Sequence, residues 1–186
     1  MPNILVICGS LRKGSYNAMP ARALPALAPD GMRFTDAPRV DTMPHYNYDD
    51  QAASGFPQSV TAFADAIRAA DGVIIVSPEY NWTIPGTLKN AIDWVSRMKD
   101  QPFKDKPVAL QSASGALLGG SRMQYHLRQC LTSIDAMIFG RPEVIVTFAP
   151  QKFDEATGEL KDQVTRDMIK LQLAAFAKFI ERVKVK

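Results

Sequence analysis

Residues 4–17 read ILVICGSLRKGSYN, an apolar β-branched run followed at once by a polar loop that contains two glycines. A continuous apolar run is typical of a parallel strand that is covered on both faces of its sheet. A strand that leads into a glycine-flanked polar loop and then a helix commonly places a phosphate group at the helix N-terminus. This stretch therefore predicts an α/β fold, and it raises the question of which phosphate compound the loop holds.

The same alternation of strand and helix continues along the chain. Apolar runs predict five strands, at residues 4–8, 32–35, 72–76, 108–110 and 144–146. Helical patterns predict five helices, at residues 17–28, 60–67, 88–95, 122–134 and 168–183. Five such alternations imply right-handed crossovers and a five-stranded parallel sheet with helices on both faces.

Two prolines and one long polar segment depart from this regular pattern. Pro20 is compatible with the first turn of the first helix, whereas Pro25 is expected to kink or end that helix. Residues 36–56 are polar and rich in turn-forming residues, so they are predicted to form a long loop, which is often functional. The last helix is predicted to bury one face, which comprises Met168, Leu171, Ala175, Phe176, Phe179, Ile180 and Val183.

Length and composition exclude several classes of protein. The chain has 186 residues, 46% hydrophobic and 22% charged, which predicts one globular domain over residues 1–186. The net charge of +3 is spread without a basic stripe, so nucleic acid is not an expected partner. No apolar run approaches the ~20 residues that span a bilayer, which argues against membrane insertion. Cys8 and Cys130 fit no metal-ligand pattern, so we expect space-filling thiols, no bound metal and a cytoplasmic location.

Three loops follow predicted strands and are candidates for a ligand site. They are the first loop at residues 9–17, the second loop at residues 77–85 and the third loop at residues 112–120. Ligands of parallel α/β sheets bind beyond the carboxyl ends of the strands, near the point where the strand order reverses. We therefore expect the three loops to converge.

The first loop matches neither of two common nucleotide-binding motifs. A triphosphate loop requires a lysine after its second glycine, but Ser15 follows Gly14. The third strand also ends in Ser77 and not in an aspartate suited to magnesium. The dinucleotide motif fails because Leu11 stands where a second glycine must admit a pyrophosphate. A single terminal phosphate remains as the candidate.

Four side chains of the first loop suit such a phosphate. Ser10, Ser15 and Asn17 offer hydroxyl and amide donors, and Arg12 offers a guanidinium fork that matches phosphate geometry. The following helix directs its free N–H groups and its positive dipole end at the same anion. The alternative is that Ser15 or Asn17 only caps this helix, and the loop alone does not separate the two interpretations.

The second and third loops suit a flat ring. Tyr80 and Trp82 could form an aromatic wall beside such a ring, while backbone N–H groups bond its polar edge. In the alternative, prolines shape the turn and the aromatic rings simply pack. The third loop is small and glycine-rich, which lets a planar ligand approach its backbone, unless it is only a turn before the next helix.

In this combination and order, the motifs resemble the flavodoxin-like NAD(P)H-dependent FMN reductases, a family with enzymes that reduce quinones, azo dyes and chromate. The resemblance rests on GSLRKGSYN (9–17), Met43-Pro44, SPEYN (77–81), PGTLKNAIDW (85–94), Ser114-Gly115, Gly119-Gly120 and QYHLR (124–128). It implies a flavodoxin-like three-layer sandwich whose five-stranded parallel sheet has the order 2-1-3-4-5.

The resemblance also implies a site for bound FMN. The residues expected at its phosphate are Ser10, Arg12, Ser15, Tyr16 and Asn17. The residues expected to border its ring are Pro78, Glu79, Tyr80 and Asn81, with Ser114 and Gly115 on the other side. No side chain is expected to act as a catalytic acid or base. A packing or interface role is favoured for His126, and His45 is expected near the substrate mouth.

The implied function is oxidoreduction by a ping-pong cycle. NADPH or NADH delivers hydride to FMN and leaves, and a small-molecule electron acceptor such as a quinone takes its place. The alternatives are a flavodoxin-type electron carrier, although such carriers are usually strongly acidic, and a flavin-binding redox sensor without nicotinamide turnover. The resemblance further implies a homodimer or homotetramer. Arg122, Tyr125 and Arg128 are spaced by three and form either part of an interface or a solvated basic face.

Overall fold

The computed structural model describes residues 2–183, which fold around a parallel sheet of six strands. The strands are β1 (Asn3–Cys8), β2 (Arg33–Asp36), β3 (Gly72–Val76), β4 (Pro107–Ala113), β5 (Met137–Ile138) and β6 (Val144–Val146). Their order is β2-β1-β3-β4-β5, and β6 pairs with the carboxyl end of β4. The predicted order 2-1-3-4-5 is therefore confirmed.

Helices cover both faces of this sheet. They are α1 (Ala18–Leu27), α2 (Tyr48–Ser54), α3 (Gln58–Ala69), α4 (Gly86–Val95), α5 (Ser121–Thr132) and α6 (Gln163–Val183). Phe63 of α3, Trp94 of α4 and Leu127 of α5 belong to one buried cluster. Leu24 of α1 and Phe176 of α6 belong to the other. The result is the predicted three-layer arrangement of helices, sheet and helices.

Alternate residues of β1 enter the two clusters, which explains why the strand is apolar throughout. Leu5 and Ile7 pack with the first cluster, and Ile4 and Val6 pack with the second. Side chains alternate across a strand, so burial on both faces removes the polar positions that a half-exposed strand would show.

The fifth position in the sheet is divided between two short strands, whereas the sequence predicted only the second of them. β5 pairs with Pro107 and Val108, and β6 pairs with Gln111–Ala113. Between them, the Arg128 guanidinium donates to the Phe139 carbonyl at 3.1 Å. This contact from α5 satisfies a backbone carbonyl where the ladder is interrupted. A two-residue strand such as β5 is too short to give a sequence pattern.

The predicted loop at residues 36–56 is not wholly irregular. It contains a 3₁₀ turn at Val40–Thr42 and the helix α2, whose Asn47 side chain accepts the Asp49 N–H at 3.0 Å. The helix α2 buries none of its residues. An apolar period of 3.6 residues arises only where one helical face is buried, so α2 carries no such signal.

The predictions for Pro25 and for the buried face of the last helix are only partly right. Pro25 lies inside α1, exposed to solvent, and the helix ends two residues later at Leu27, consistent with loss of one backbone donor. Phe176 and Ile180 are buried on α6 as predicted. Met168 and Leu171 are not, being 37% and 62% exposed, because the buried stripe runs through Ile169 instead.

Candidate functional site

The first and third loops are joined directly at the carboxyl edge of the sheet. The Asn17 side-chain amide donates to the Ala113 carbonyl at 2.9 Å, and its oxygen accepts the Ala113 N–H at 2.8 Å. The second loop follows β3, which lies between β1 and β4 in the sheet. The predicted convergence of the three loops is thus observed.

The first loop offers a series of backbone donors that the protein leaves unused. Within residues 2–183, the N–H groups of residues 10–14 and of Tyr16 donate no hydrogen bond. These groups precede the N-terminus of α1, where the helix dipole favours negative charge. The Arg12 side chain bends back to the Gly14 carbonyl, and its guanidinium carbon lies 5.4 Å from the Tyr16 ring centroid. The loop has the chemistry of an anion site.

The two buried polar residues of the first loop form hydrogen bonds within the protein. Ser15 and Asn17 are each 3% exposed, and the Ser15 hydroxyl accepts the Asn17 N–H at 3.1 Å. Asn17 occupies the N-cap position of α1, yet its side chain makes no capping bond. The capping alternative therefore fails for Asn17, because its amide is bonded to β4. Its remaining Nδ2 hydrogen stays available to a ligand.

Tyr16 links the first loop to the turn before α6. Its hydroxyl donates to the Glu155 carboxylate. This bond, with the adjacent negative charge, raises the pKa of Tyr16 above its ordinary value. Tyr16 is therefore oriented by Glu155 along the outer wall of the loop.

A tight turn, the rim hairpin (residues 80–83), stands at the end of the second loop. Tyr80 and Thr83 exchange backbone hydrogen bonds of 3.1 and 3.0 Å. Asn81 and Trp82 between them have φ of 49° and 72°, a left-handed pair typical of two-residue hairpins. A bulky residue such as Trp rarely adopts this region, and the cost is about 1–2 kcal/mol. Tyr80 and Trp82 remain 49% and 67% exposed, as an aromatic wall requires.

The carboxylate of Glu79 holds this hairpin against α5. It forms an ion pair with Arg122, whose Nε lies 2.6 Å from Oε1, and Oε2 accepts the Met123 N–H at 3.3 Å. The Arg122 guanidinium carbon lies 4.3 Å from the Trp82 ring centroid. The Glu79 side chain is 8% exposed, so its carboxylate faces α5 and only its backbone faces the loops.

These contacts decide between the two alternatives for the arginines of α5 and give His126 a partner. Arg122 and Arg128 do not form a solvated basic face, because the first pairs with Glu79 and the second with Glu143 at 3.3 Å. His126, for which the sequence suggested no partner, has Nδ1 3.0 Å from the Thr83 hydroxyl. Helix α5 thus contacts the rim hairpin at its first two turns.

The third loop approaches the strands so closely that only glycine fits at its end. Gly120 has φ of 92°, and a Cβ there would lie 2.8 Å from the Ser112 Cβ. Ser114 donates its N–H to Val146 at 3.0 Å, which anchors the loop to β6. Gly115 is exposed and its N–H has no acceptor in the described chain, so a ligand can reach its backbone.

The long loop before α2 is held by residues to which the sequence assigned no role. The Asn90 amide donates to the Pro44 carbonyl at 2.9 Å and accepts the Tyr46 N–H at 2.8 Å. The Trp94 indole donates to the same carbonyl at 2.8 Å. Asn90 and Trp94 belong to the motif at residues 85–94, and this motif was the available signal. His45 lies exposed within the anchored segment.

Two features of residues 2–183 bear on metal binding and on membrane insertion. Residues 2–183 contain no group of three or more His, Cys, Asp or Glu side chains that could hold a metal ion. No helix in that range has both the length and the apolar character to cross a membrane.

A doubly wound parallel sheet of order β2-β1-β3-β4-β5, with an anion loop after β1, is the arrangement of the flavodoxin-like class. Comparison with known proteins narrows this class. Residues 2–151 match the model of the NADPH-dependent FMN reductase family. The chain belongs to that family.

Named relatives support the assignment over nearly the whole chain. Quinone reductase of Escherichia coli (strain K12) is 50% identical over 182 residues, which cover 98% of this chain and 97% of that protein. An NAD(P)H-dependent FMN reductase of Pseudomonas aeruginosa is 43% identical over 181 residues, covering 97% and 96%. The structure of FerB, a flavoenzyme NAD(P)H:(acceptor) oxidoreductase from Paracoccus denitrificans, superimposes with a TM-score of 0.87 at 32% identity, covering 98% of both chains.

Proposed function

We propose that the protein binds FMN across its three loops and transfers electrons from NADPH or NADH to quinones or similar flat acceptors. The observation that carries this proposal is the array of unused N–H groups in the first loop, beside an exposed aromatic rim. Membership in the FMN reductase family and the names of its relatives supply the cofactor and the acceptor class.

The residues present fit FMN. The free N–H groups of the first loop, with Ser10, Arg12 and Asn17, would hold the phosphate, and Ser15 and Tyr16 would shape the loop around it. The N–H groups of residues 79, 81 and 115 donate no bond within residues 2–183 and suit the polar edge of the ring. Pro78 and Tyr80 would border the ring on one side and Ser114 on the other.

When bound, FMN supplies the capacity to accept and donate a hydride equivalent. The protein's residues then contribute binding and orientation. Tyr80 and Trp82 offer flat surfaces to nicotinamide and acceptor alike, so the two substrates occupy the same opening in turn. This sharing gives a ping-pong order, and no side chain is required to exchange a proton.

Other exposed apolar side chains support association of subunits. Leu117 and Tyr125 are 68% and 54% exposed, and a second copy would cover them. We therefore include a homodimer or homotetramer in the proposal, with residues 1–186 as one domain in each subunit. Two free thiols support a reducing, cytoplasmic location. Light scattering after size exclusion tests assembly, and a monomer at micromolar concentration contradicts it.

The decisive experiment is anaerobic mixing of the purified protein with NADPH or NADH, followed by a soluble quinone. The expected results are flavin absorbance in the purified protein, bleaching by the nicotinamide and recovery with the quinone. Parallel double-reciprocal plots would support the ping-pong order. A protein that binds FMN tightly but consumes neither nicotinamide would instead be an electron carrier or a sensor.

A further inference from the structure

Helix α6 carries an apolar face that the fold does not cover. Its spacing predicted burial of Met168 and Leu171, but these side chains are 37% and 62% exposed, and Val164 is 69% exposed. The three positions are separated by four and then three residues, so they lie on one side of the helix. With the half-buried Ala175 they form an apolar stripe about 17 Å long. The core takes another side of α6, which includes Ile169.

The same side of α6 ends in a cationic hollow. Lys178 and Arg182 continue the spacing of three and four residues from Ala175, and with Arg141 they line a hollow of about 400 Å³ beside β5. Its apolar wall includes Phe179, whose ring centroid lies 5.4 Å from the Arg182 guanidinium carbon. No carboxylate is among the described residues that line the hollow. The stripe and this hollow together are the α6 surface.

The cations of the α6 surface have few counter-charges within the protein. Arg141 and Lys178 form no ion pair or hydrogen bond within residues 2–183, and Arg182 has only its ring contact in that range. Asp167 borders the stripe, and its carboxylate accepts a side-chain amide of α6 at 2.7 Å. Glu181 precedes Arg182 by one position, so it lies about 100° around the helix from it. Three cations against one bordering carboxylate give the surface a positive excess, which attracts anions.

We propose that the α6 surface docks on an anionic lipid bilayer. A helix that lies in a bilayer interface buries its apolar side chains at the boundary of the acyl layer and places Lys and Arg among the headgroups. The α6 surface presents both kinds of group on one side of one helix. The stripe meets the acyl boundary, and Arg141, Lys178 and Arg182 bind the headgroup phosphates.

A second copy of the chain fits the α6 surface less well than a bilayer does. If two α6 helices pack in the same direction, their cationic ends meet and repel. If they pack in opposite directions, Lys178 and Arg182 lie opposite Val164 and Met168, and each copy offers only Asp167 to the other's three cations. A bilayer with anionic lipids supplies a phosphate for every cation and an apolar layer for the stripe.

Sedimentation with lipid vesicles tests this proposal without turnover. The FMN-loaded protein is mixed at low salt with vesicles of phosphatidylcholine alone, or with equimolar mixed vesicles of phosphatidylglycerol and phosphatidylcholine. We expect partition at least about fivefold stronger onto the mixed vesicles. This gain should disappear in ~1 M salt, because exposed charges are then screened.

Two variants test the cationic and the apolar part separately. Lys178→Ala should weaken partition about fivefold, since it removes one cation from an anionic surface. Leu171→Ser should weaken it about tenfold, since it removes most of an apolar side chain. Lys170→Ala is the matched control, because Lys170 is exposed on the same helix about 100° from Leu171. It removes the same charge as Lys178→Ala and should leave partition nearly unchanged.

Three results would overturn the proposal. The first is equal partition onto the two kinds of vesicle, or equal losses in Lys178→Ala and Lys170→Ala. The second is light scattering in which Leu171→Ser dissociates an oligomer that binds no vesicles, because the α6 surface is then a contact between copies. The third is calorimetric binding of inorganic phosphate without vesicle binding, because the hollow is then a pocket for a free anion.

This proposal and the proposed function can fail separately. The α6 surface shares no residue with the three loops, so Leu171→Ser and Lys178→Ala should keep the turnover of wild type with a soluble quinone. If neither nicotinamide is consumed while the protein still sediments with the mixed vesicles, the reductase function fails and the docking surface stands.

Discussion

The first loop and the rim hairpin both follow a buried strand at the same edge of the sheet, but they are held in opposite ways. The first loop is fixed from beneath, through the Asn17 amide and the Ala113 backbone, while its outer N–H groups stay unbonded. The rim hairpin is fixed from the side, through the Glu79–Arg122 ion pair and the His126–Thr83 contact.

This difference separates two tasks of a binding site. A loop that must surround an anion keeps its donors free and takes its rigidity from a few buried bonds. A rim that must present flat rings keeps the rings exposed and takes its rigidity from charged side chains behind them. Substitutions at the two places should therefore have different consequences, and the comparison can be tested directly.

The largest effect is expected from Asn17→Ala. This change leaves the buried Ala113 N–H and carbonyl without partners, so the apoprotein should lose about 2–4 kcal/mol of unfolding free energy, together with FMN affinity. Ser10→Ala is the matched control, since the Ser10 hydroxyl has no partner within residues 2–183. It should weaken FMN binding alone. Urea unfolding of both apoproteins measures the difference, and equal midpoints for Asn17→Ala and wild type would refute the anchoring role.

A pair of glycine substitutions tests whether the first loop is constrained on its inner side and free on its outer side. A Cβ on Gly9 would contact the Ser77 hydroxyl and lie 2.9 Å from its Cβ, whereas a Cβ on Gly14 meets nothing within 4 Å. Gly9→Ala should therefore cost about 1–3 kcal/mol through overpacking, and Gly14→Ala should be close to neutral. Thermal unfolding of the two variants compares them. A costly Gly14→Ala would show that the outer loop is more constrained than its contacts indicate.

The sequence was informative wherever burial imposes a pattern. β1 and β3 are apolar throughout because both of their faces are covered, and their predicted bounds agree with the structure to within one residue. The three loops could be located because they follow such strands. The helix α2 could not be found, since none of its side chains is buried, and the two-residue β5 is defined only by its pairing with β4.

The spacing of residues along the sequence could not reveal which distant groups form hydrogen bonds or ion pairs in the site. Arg122 occupies a helix face that looks solvated in the sequence, and its partner Glu79 lies 43 positions away. The Asn17–Ala113 bonds join residues 96 positions apart. Such contacts follow from the way the strands are ordered in the sheet, so they become visible only when the fold has been assembled.

Glu79→Gln tests the rim hairpin and should destabilise the protein less than Asn17→Ala does. It removes one charge of an ion pair in which Arg122 is 35% exposed, so we expect a loss of about 1–2 kcal/mol. Glu143→Gln, which weakens the Arg128 pair on the same helix, is the matched control. Only Glu79→Gln should alter Trp82 fluorescence and raise the quinone KM, because only that pair lies behind the ring. Identical spectra for the two variants would mean that Trp82 keeps its position without Glu79.

The smallest effect is expected where the first loop meets Glu155. The bond to this carboxylate raises the pKa of Tyr16, so the folded protein holds the phenolic proton more tightly than the unfolded chain does. The interaction is complete below the ordinary tyrosine pKa of about 10 and is lost as the pH rises through the higher folded value. Titration of phenolate absorbance should show one late tyrosine, which is missing in Tyr16→Phe and shifts to lower pH in Glu155→Ala.

Neither substitution should change the unfolding midpoint at neutral pH measurably, because the Tyr16–Glu155 contact is open to water. Unchanged midpoints would mean that the outer Tyr16–Glu155 contact orients the first loop without stabilising the fold, whereas the inner Asn17–Ala113 bonds do both. A clear loss of stability in Tyr16→Phe would place part of the loop's anchorage on its outer side, and the distinction between the first loop and the side-anchored rim hairpin would be weaker.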